Sequence, residues 1–482
     1  MAETILSIDI GSSSLKAALI DFDGRLLAFS RAAYPFDSQG AGKESCGASV
    51  WEKAFALALE ELYTLAPGRI IDGVCISGNG PTLVPVDREG EALPPLYWYG
   101  PVATPPEGEG QNRTTANKAR SFFLPHAAWF MKNSPGEYEK TSLFISSHEW
   151  LASRLGAEPL TVLPQAAYEP YYWDDAQCHL FGLDKAKFPP FVNMGSLMGK
   201  VSAKAASLFG PASGNCLKSG SPIIAGGPDF ITALIGTGTM RPGYVCDRAG
   251  SSEGINFCAV SPPEGDGLAG DGGLRALPHA KEGLWNIGAV IPSSGRLFEW
   301  YRKNARYQDR PYEELLAELI PLGNDTEIYK GAFLNPSDVV GSGLYPASQA
   351  ERIALGRAVL CAIGFAVRSA AETLAARGFP VEVLRVSGGQ AKNPRWNQLK
   401  ADITGLSLMI PGISDGELAG NAALSAAALD EVSIFAGADF EWALEGSSAR
   451  MIRFQETYTP RSETRSFWDE RYRLYKMEQN KR

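Results

Sequence analysis

One pattern occurs twice in this chain and restricts its fold more than any other. It is an apolar strand, a small Gly-Ser turn and a second apolar strand, each time heading a β/α segment. At the N-terminus Ile5-Leu6-Ser7-Ile8 leads into Asp9-Ile10-Gly11-Ser12-Ser13-Ser14, and residues 15–20 are apolar again. Near the middle Gly243-Tyr244-Val245-Cys246 leads into a small polar stretch, residues 247–253, and residues 255–260 alternate like a strand. Asp9-Ile10-Gly11-Ser12-Ser13 and Asp247-Arg248-Ala249-Gly250-Ser251-Ser252 are both an acid followed by Gly-Ser-Ser. A duplicated unit heading two α/β domains predicts a ligand held in a cleft between them. Gly-Ser loops are also ordinary turn chemistry, and it is the pair in this order that points to function.

The remaining elements follow the same logic. A third strand is expected over residues 25–34, a helix with Trp51, Phe55, Leu59 and Leu62 on one face over 51–65, and a buried strand over 70–76. The Gly-rich stretch 220–238 reads as a hinge. Beyond it come a long Ala-rich helix (351–376), strand (381–387), helix (393–404), strand (406–410) and a second Ala-rich helix (417–429). The end of the chain is charged and aromatic, as in a terminal helix packed by its rings.

At 482 residues the chain exceeds one hydrophobic core, so two large domains or more are expected. A formal net charge of −9 with no Lys/Arg stripe argues against a nucleic-acid partner. The seven cysteines form no C-x-x-C pair and the four histidines no ligand spacing, which argues against zinc or a disulfide framework. The start of the chain lacks a basic n-region, and no apolar run approaches the ~20 residues that span a bilayer. A cytoplasmic protein with no membrane partner is expected.

Four segments carry chemistry. In 9–16, Gly11 lets backbone approach a polyphosphate, Ser12 and Ser13 add donors, and Asp9 at the strand end suits Mg²⁺ held through water. Neither a G-x-x-x-x-G-K-[ST] loop nor a G-x-G-x-x-G fingerprint after a strand is present. Gly250-Ser251-Ser252-Glu253-Gly254 fits the G-x-S-x-G elbow of serine hydrolases, with His279 downstream, but the elbow needs a following helix and 255–260 reads as a strand. In Ala225-Gly226-Gly227-Pro228-Asp229-Phe230, Asp229 is either a general base exposed on a Gly-rich turn or the N-cap of the next helix. Ser387-Gly388-Gly389-Gln390 is either a seat for a flat ring such as adenine or a plain turn.

Together and in order, these residues resemble the FGGY carbohydrate kinases across nearly the whole chain. The resemblance implies two actin-like ATPase (ribonuclease H-like) domains of α/β class, with ATP and Mg²⁺ as cofactors. By its motifs, Gly11, Ser12, Ser13 and Lys16 bind phosphate, Asp9 assists Mg²⁺, and Asp229 is the catalytic base. Gly250, Ser251 and Ser252 match the second phosphate hairpin, and Gly295, before Trp300, matches a turn near the nucleotide. Gly389 and Asn393, followed by Gln398, Ala401, Asp402 and Gly405, match the adenosine motif. The implied domains are 1–238 (substrate and phosphate), 239–445 (nucleotide) and a helical tail, 446–482.

The departures lie in the substrate half. Asn79-Gly80-Pro81-Thr82 stands where many members have Q-M-H-G, and Trp98-Tyr99-Gly100-Pro101-Val102 where they have W-x-D-x-R. Phe230 follows the base where a polar residue is usual, and Asn421 replaces a common Ala. Asn79, Trp98, Tyr99, Asp229 and Phe230 are thus the expected substrate contacts, for a sugar or polyol other than an ordinary ketose. An ATP-binding regulatory protein on this fold is the alternative, then a serine hydrolase. The resemblance leaves room for a homodimer.

Overall fold

The computed structural model describes residues 4–34, 47–104, 120–210, 217–250, 252–263, 273–291, 294–323, 326–329, 346, 348–434 and 440–479. It divides into two units: residues 1–238 with 278–282 and 416–452, and residues 239–277 with 283–415 and 453–482.

The first unit holds β1 (Thr4–Ile10), β2 (Ser14–Asp21), β3 (Leu26–Ala33), β4 (Gly73–Gly78), β5 (Leu83–Val86), β6 (Leu143–Ser146), β7 (Thr161–Leu163), β8 (Phe191–Asn193), β9 (Leu197–Lys200) and β10 (Pro222–Pro228). Its main sheet runs β3-β2-β1-β4-β10-β9, with β4 parallel to both β1 and β10 and the other pairs antiparallel. Ile5, Leu6, Ile8 and Ile10 are all fully buried, as in a strand covered on both faces. The Ala48–Leu65 helix packs on β2 and β3, burying the expected Trp51, Phe55, Leu59 and Leu62. The Gly416–Ile434 helix packs on β1 and β4, and Ser7 Oγ donates to its Leu418 carbonyl.

The second unit holds β11 (Val245–Ala249), β12 (Glu253–Ala259), β13 (Leu274–Pro278), β14 (Trp285–Ile291), β15 (Val383–Ser387), β16 (Ser407–Pro411) and β17 (Phe454–Tyr458), in the order β13-β14-β12-β11-β15-β16-β17. Two antiparallel strands beside the first, then two parallel ones, repeat the order β3-β2-β1-β4-β10 as β14-β12-β11-β15-β16. This is the ribonuclease H-like duplication that the sequence implied. The Gln349–Ala376 helix is long and apolar enough by composition to cross a membrane, unlike anything the sequence reading expected. Here its Leu355, Val359, Leu360, Ile363, Phe365 and Leu374 are buried in the cores of this unit.

Four expectations need correction. The stretch expected as a hinge is mostly regular structure, β10 and the Asp229–Gly236 helix, with the unit boundary at its end, Gly238. The domains are not contiguous, because the Gly416–Ile434 and Phe440–Met451 helices belong to the first unit, where an Ala-rich surface packs closely on the Asp229–Gly236 helix. The chain end is no separate helical tail, since β17 pairs with β16 and the Arg465–Gln479 helix buries Trp468 and Tyr472 in the second unit. Asp247 lies within β11, which runs on to Ala249, rather than in the turn that follows.

Candidate active site

In the first unit the strand register builds a polar row at one end of the sheet. Asp9 pairs with Lys16 on β2 and Ser77 on β4, and Ser77 pairs in turn with Gly227 on β10. Side chains in such a row share one face, and here it is the face covered by the Gly416–Ile434 helix. Ser77 Oγ donates to Asp9 Oδ1 at 2.9 Å, and Asn421 Nδ2 donates to Ser77 Oγ at 3.0 Å and to the Ile8 carbonyl at 2.8 Å. Lys16 Nζ lies 3.7 Å from Asp9 and 3.9 Å from Glu417, in the first turn of that helix.

A bulge aims Asp229 at this row. The β10–β4 register slips between Ala225 and Gly227. A Cβ on Gly226 would sit 2.0 Å from the Ile76 carbonyl, and Gly227 has φ of +137°, so both positions require glycine. Asp229 then opens the Asp229–Gly236 helix at its first residue, while Pro228 holds the N-cap position. Asp229 is therefore not the cap. Burial above all pushes the Asp9 carboxyl up to about 7, and the charges of Glu417 and Asp229 push the same way against Lys16. Asp9, Lys16, Asp229 and Glu417 are thus one electrostatic group.

The donor set fits a divalent cation. Asp9 is 3% exposed, and Glu417 Oε2 is buried without a hydrogen-bond partner among the described residues. Three carboxylates around one lysine leave negative charge for a cation to neutralise. No group of three or more His, Cys, Asp or Glu side chains is arranged to ligate an ion among the described residues. A Mg²⁺ ion held by Asp9 and Glu417 would therefore keep much of its water shell.

The turn above Asp9 is braced. Gly11 N–H donates to the Ser14 carbonyl at 3.0 Å, Tyr34 N–H to that of Ser13 at 3.0 Å, and Tyr34 Oη to that of Gly11. Ser12 and Ser13 sit half-buried at the tip. Of the expected substrate residues, Asn79 is buried and committed inwards: its Nδ2 donates to the Ile10 carbonyl at 2.8 Å, and its Oδ1 accepts from Thr82 at 2.7 Å. Tyr99 stacks on Tyr97 with centroids 5.2 Å apart, and Trp98 is edge-on to Tyr99. Phe230 is half-buried beside Asp229.

In the second unit the turn also closes from a glycine N–H to a serine carbonyl, Gly250 to Ser252 at 3.0 Å, one residue tighter than Gly11 to Ser14. Ser251 lies outside the described residues. A strand, β12, follows the turn, so the hydrolase elbow is ruled out by context. Gly295 is in the first turn of the Ser294–Asn304 helix, and Gly389 is exposed with open space where a Cβ would stand, as a flat ring requires. Asn393 caps the Pro394–Thr404 helix by accepting from Trp396 N–H. Asp402 accepts from Arg461 through Nε at 2.9 Å and Nη2 at 2.5 Å, a structural tie to the chain end.

The model for the N-terminal domain of the FGGY family of carbohydrate kinases matches residues 4–236, and that for the C-terminal domain matches residues 264–429. The chain belongs to the FGGY family. It is similar to a xylulose kinase of Bacillus subtilis, 24% identical over 98% of this chain and 96% of that one. An autoinducer-2 kinase of Klebsiella pneumoniae is 22% identical over 97% and 92%. The fold matches a ligand-bound xylulose kinase from Lactobacillus acidophilus with a TM-score of 0.73 at 17% identity, over 99% of this chain and 98% of that one. As an FGGY protein the chain is an ATP-dependent carbohydrate kinase acting on a sugar or polyol hydroxyl.

Proposed function

We propose that Asp229 accepts the proton of the acceptor hydroxyl while Asp9 orients hydrated Mg²⁺, and that ATP is the phosphoryl donor. The observation that carries this reading is the electrostatic grouping of Asp9, Lys16, Asp229 and Glu417, with a glycine bulge immediately before Asp229. Mg·ATP supplies the phosphoryl group and neutralises its developing charge. Lys16, Ser12, Ser13 and the Gly11 backbone hold phosphate oxygens on the first unit. Gly250, Ser251, Ser252, Gly295, Gly389 and Asn393 form the nucleotide side on the second. The five described cysteines are buried thiols, which accords with a cytoplasmic setting.

The acceptor on this reading has fewer hydroxyls to satisfy than a ketopentose. Asn79 has its amide committed to Ile10 and Thr82, Phe230 walls the base, and Trp98 and Tyr99 offer ring faces in place of an acid and an arginine. A site lacking polar partners gains little from hydroxyls, and apolar walls discriminate weakly. A deoxygenated or otherwise modified sugar is therefore the expected substrate. An ordinary pentulose is the second reading, favoured by the similarity to xylulose kinases. Steady-state kinetics separate the two: kcat/KM should be low on D-xylulose, L-ribulose and glycerol and higher on deoxy or modified sugars, whereas a high kcat/KM on D-xylulose would establish the pentulose reading.

A further inference from the structure

Beneath the turn at 250–252 lies a buried ionic group. Lys400, on the Pro394–Thr404 helix, is fully buried, and its Nζ bonds both Asp247 Oδ2 and Glu253 Oε1, whose side chains are fully buried too. Asp247 and Glu253 share a sheet face because Glu253 pairs with Ala249, two residues on from Asp247. Glu253 Oε2 also accepts from Ser294 Oγ. Ser294 Oγ accepts from Gln390 Nε2 at 2.8 Å, and the same nitrogen donates to the Gly250 carbonyl at 3.3 Å. Gln390 Oε1 accepts from Trp396 Nε1 at 3.1 Å. Gly388, at φ +101°, lies so close that a Cβ would be 2.5 Å from the Ala249 carbonyl. The turn at 388–390 thus rests directly on the base of the hairpin.

Burial, then the nearby Glu253, pushes the Asp247 carboxyl well above the usual range. Burial opposes the Glu253 charge, but Lys400 and the hydrogen bonds from Asp247 and Ser294 together hold that group low. One ammonium thus faces two buried carboxyl groups, of which Asp247 takes up a proton more readily than Glu253. Apolar side chains of equal volume would stabilise such a core at least as well. Directional bonds, however, fix where the chain stops, as packed oil does not.

We infer that Lys400 and Gln390 are positioning residues for the nucleotide. They hold the 250–252 turn, the 388–390 turn and the start of the Ser294–Asn304 helix as one preorganised surface. The inference rests on the reading that the second hairpin and the Gly-Gly turn engage ATP. Supporting residues of this kind are worth about 10–100-fold at the sites they hold.

Calorimetric titration with Mg·AMP-PNP, beside thermal unfolding, tests it. Gln390→Ala should raise Kd about tenfold with an unchanged melting temperature. The triple variant Asp247→Val/Glu253→Leu/Lys400→Met should melt at or above the wild type and still bind at least tenfold more weakly. Folded variants that bind like the wild type would overturn the inference, and Gln390→Ala decides alone if the triple variant does not fold. Ser252→Trp is the control: if it weakens binding while the other two do not, only this inference falls. If Ser252→Trp binds normally, or the wild type binds no Mg·AMP-PNP, the assignment of the hairpin to the nucleotide itself falls.

Discussion

In both hairpins a glycine N–H closes the turn onto a serine carbonyl, Gly11 to Ser14 and Gly250 to Ser252, but the charges set around the two turns differ. Counting back from the closing pairs, Ile10 with Leu15 and Ala249 with Glu253, the place of Asp9 in the first hairpin is taken by Arg248 in the second. Asp247, which looked like the second copy of Asp9, is one residue out of step and faces the other side of the sheet, as the twofold alternation of a strand demands. Under the first turn, Lys16 is 21% exposed and outnumbered by carboxylates. Under the second, Lys400 is sealed between two partners. On the proposed reading the first hairpin leaves negative charge for a cation, whereas the second already holds a buried lysine between two carboxyl groups, although Asp247 Oδ1 has no hydrogen-bond partner among the described residues. On the proposed reading a duplicated backbone carries one copy beside the chemistry and one copy that supports the nucleotide.

Four variants sharpen or break this contrast. The largest effect belongs to Asp229→Asn, which should lower kcat by about 10²–10⁴-fold, the usual worth of a positioned base, with little change in Mg·AMP-PNP affinity. Unchanged turnover in the folded variant would remove Asp229 from the chemistry. Ser12→Trp and Ser252→Trp should each weaken Mg·AMP-PNP binding by about tenfold or more, by blocking close approach to phosphate at either turn. If only one does so, the two hairpins do not share the ligand.

The smallest effect concerns stability. The folded Asp9 pKa, about 7, lies above its ordinary 3.8, so the folded state holds a proton that the unfolded chain has released. That contribution is fully present below about pH 4 and is lost as pH rises through 7. Asp9→Asn should therefore raise the melting temperature of the ligand-free protein by several degrees at pH 8 and scarcely change it at pH 4. Equal melting curves at both pH values would show that Asp9 carries no uncompensated charge.

Much of this arrangement was legible in the sequence because it is local. Gly11-Ser12-Ser13 and Gly226-Gly227-Pro228-Asp229 are turn and bulge chemistry written in consecutive residues, and the helix face of Trp51, Phe55, Leu59 and Leu62 is a simple period. What escaped is non-local. Glu417 meets Asp9 only because the Gly416–Ile434 helix returns to the first unit, against the chain order that set the domain boundary at 238. Lys400 sits among Gln398, Ala401 and Asp402 in a helix where any charged residue reads as solvent-facing; its burial depends on Asp247 and Glu253, two strands away. Asp247 itself was assigned to the loop because a strand ending in Asp-Arg-Ala looks polar, and only the pairing with β12 shows where the strand stops.

The central claim is transfer of a phosphoryl group to an acceptor hydroxyl, and the direct measurement is ADP formation across a panel of sugars and polyols, with the product followed by phosphorus NMR. The account predicts ADP formed in equal amount to a phosphorylated acceptor, dependent on Mg²⁺ and abolished by EDTA. Nucleotide binding with no acceptor-dependent ADP release from any member of the panel, or ADP release at one rate with and without acceptor, would contradict it.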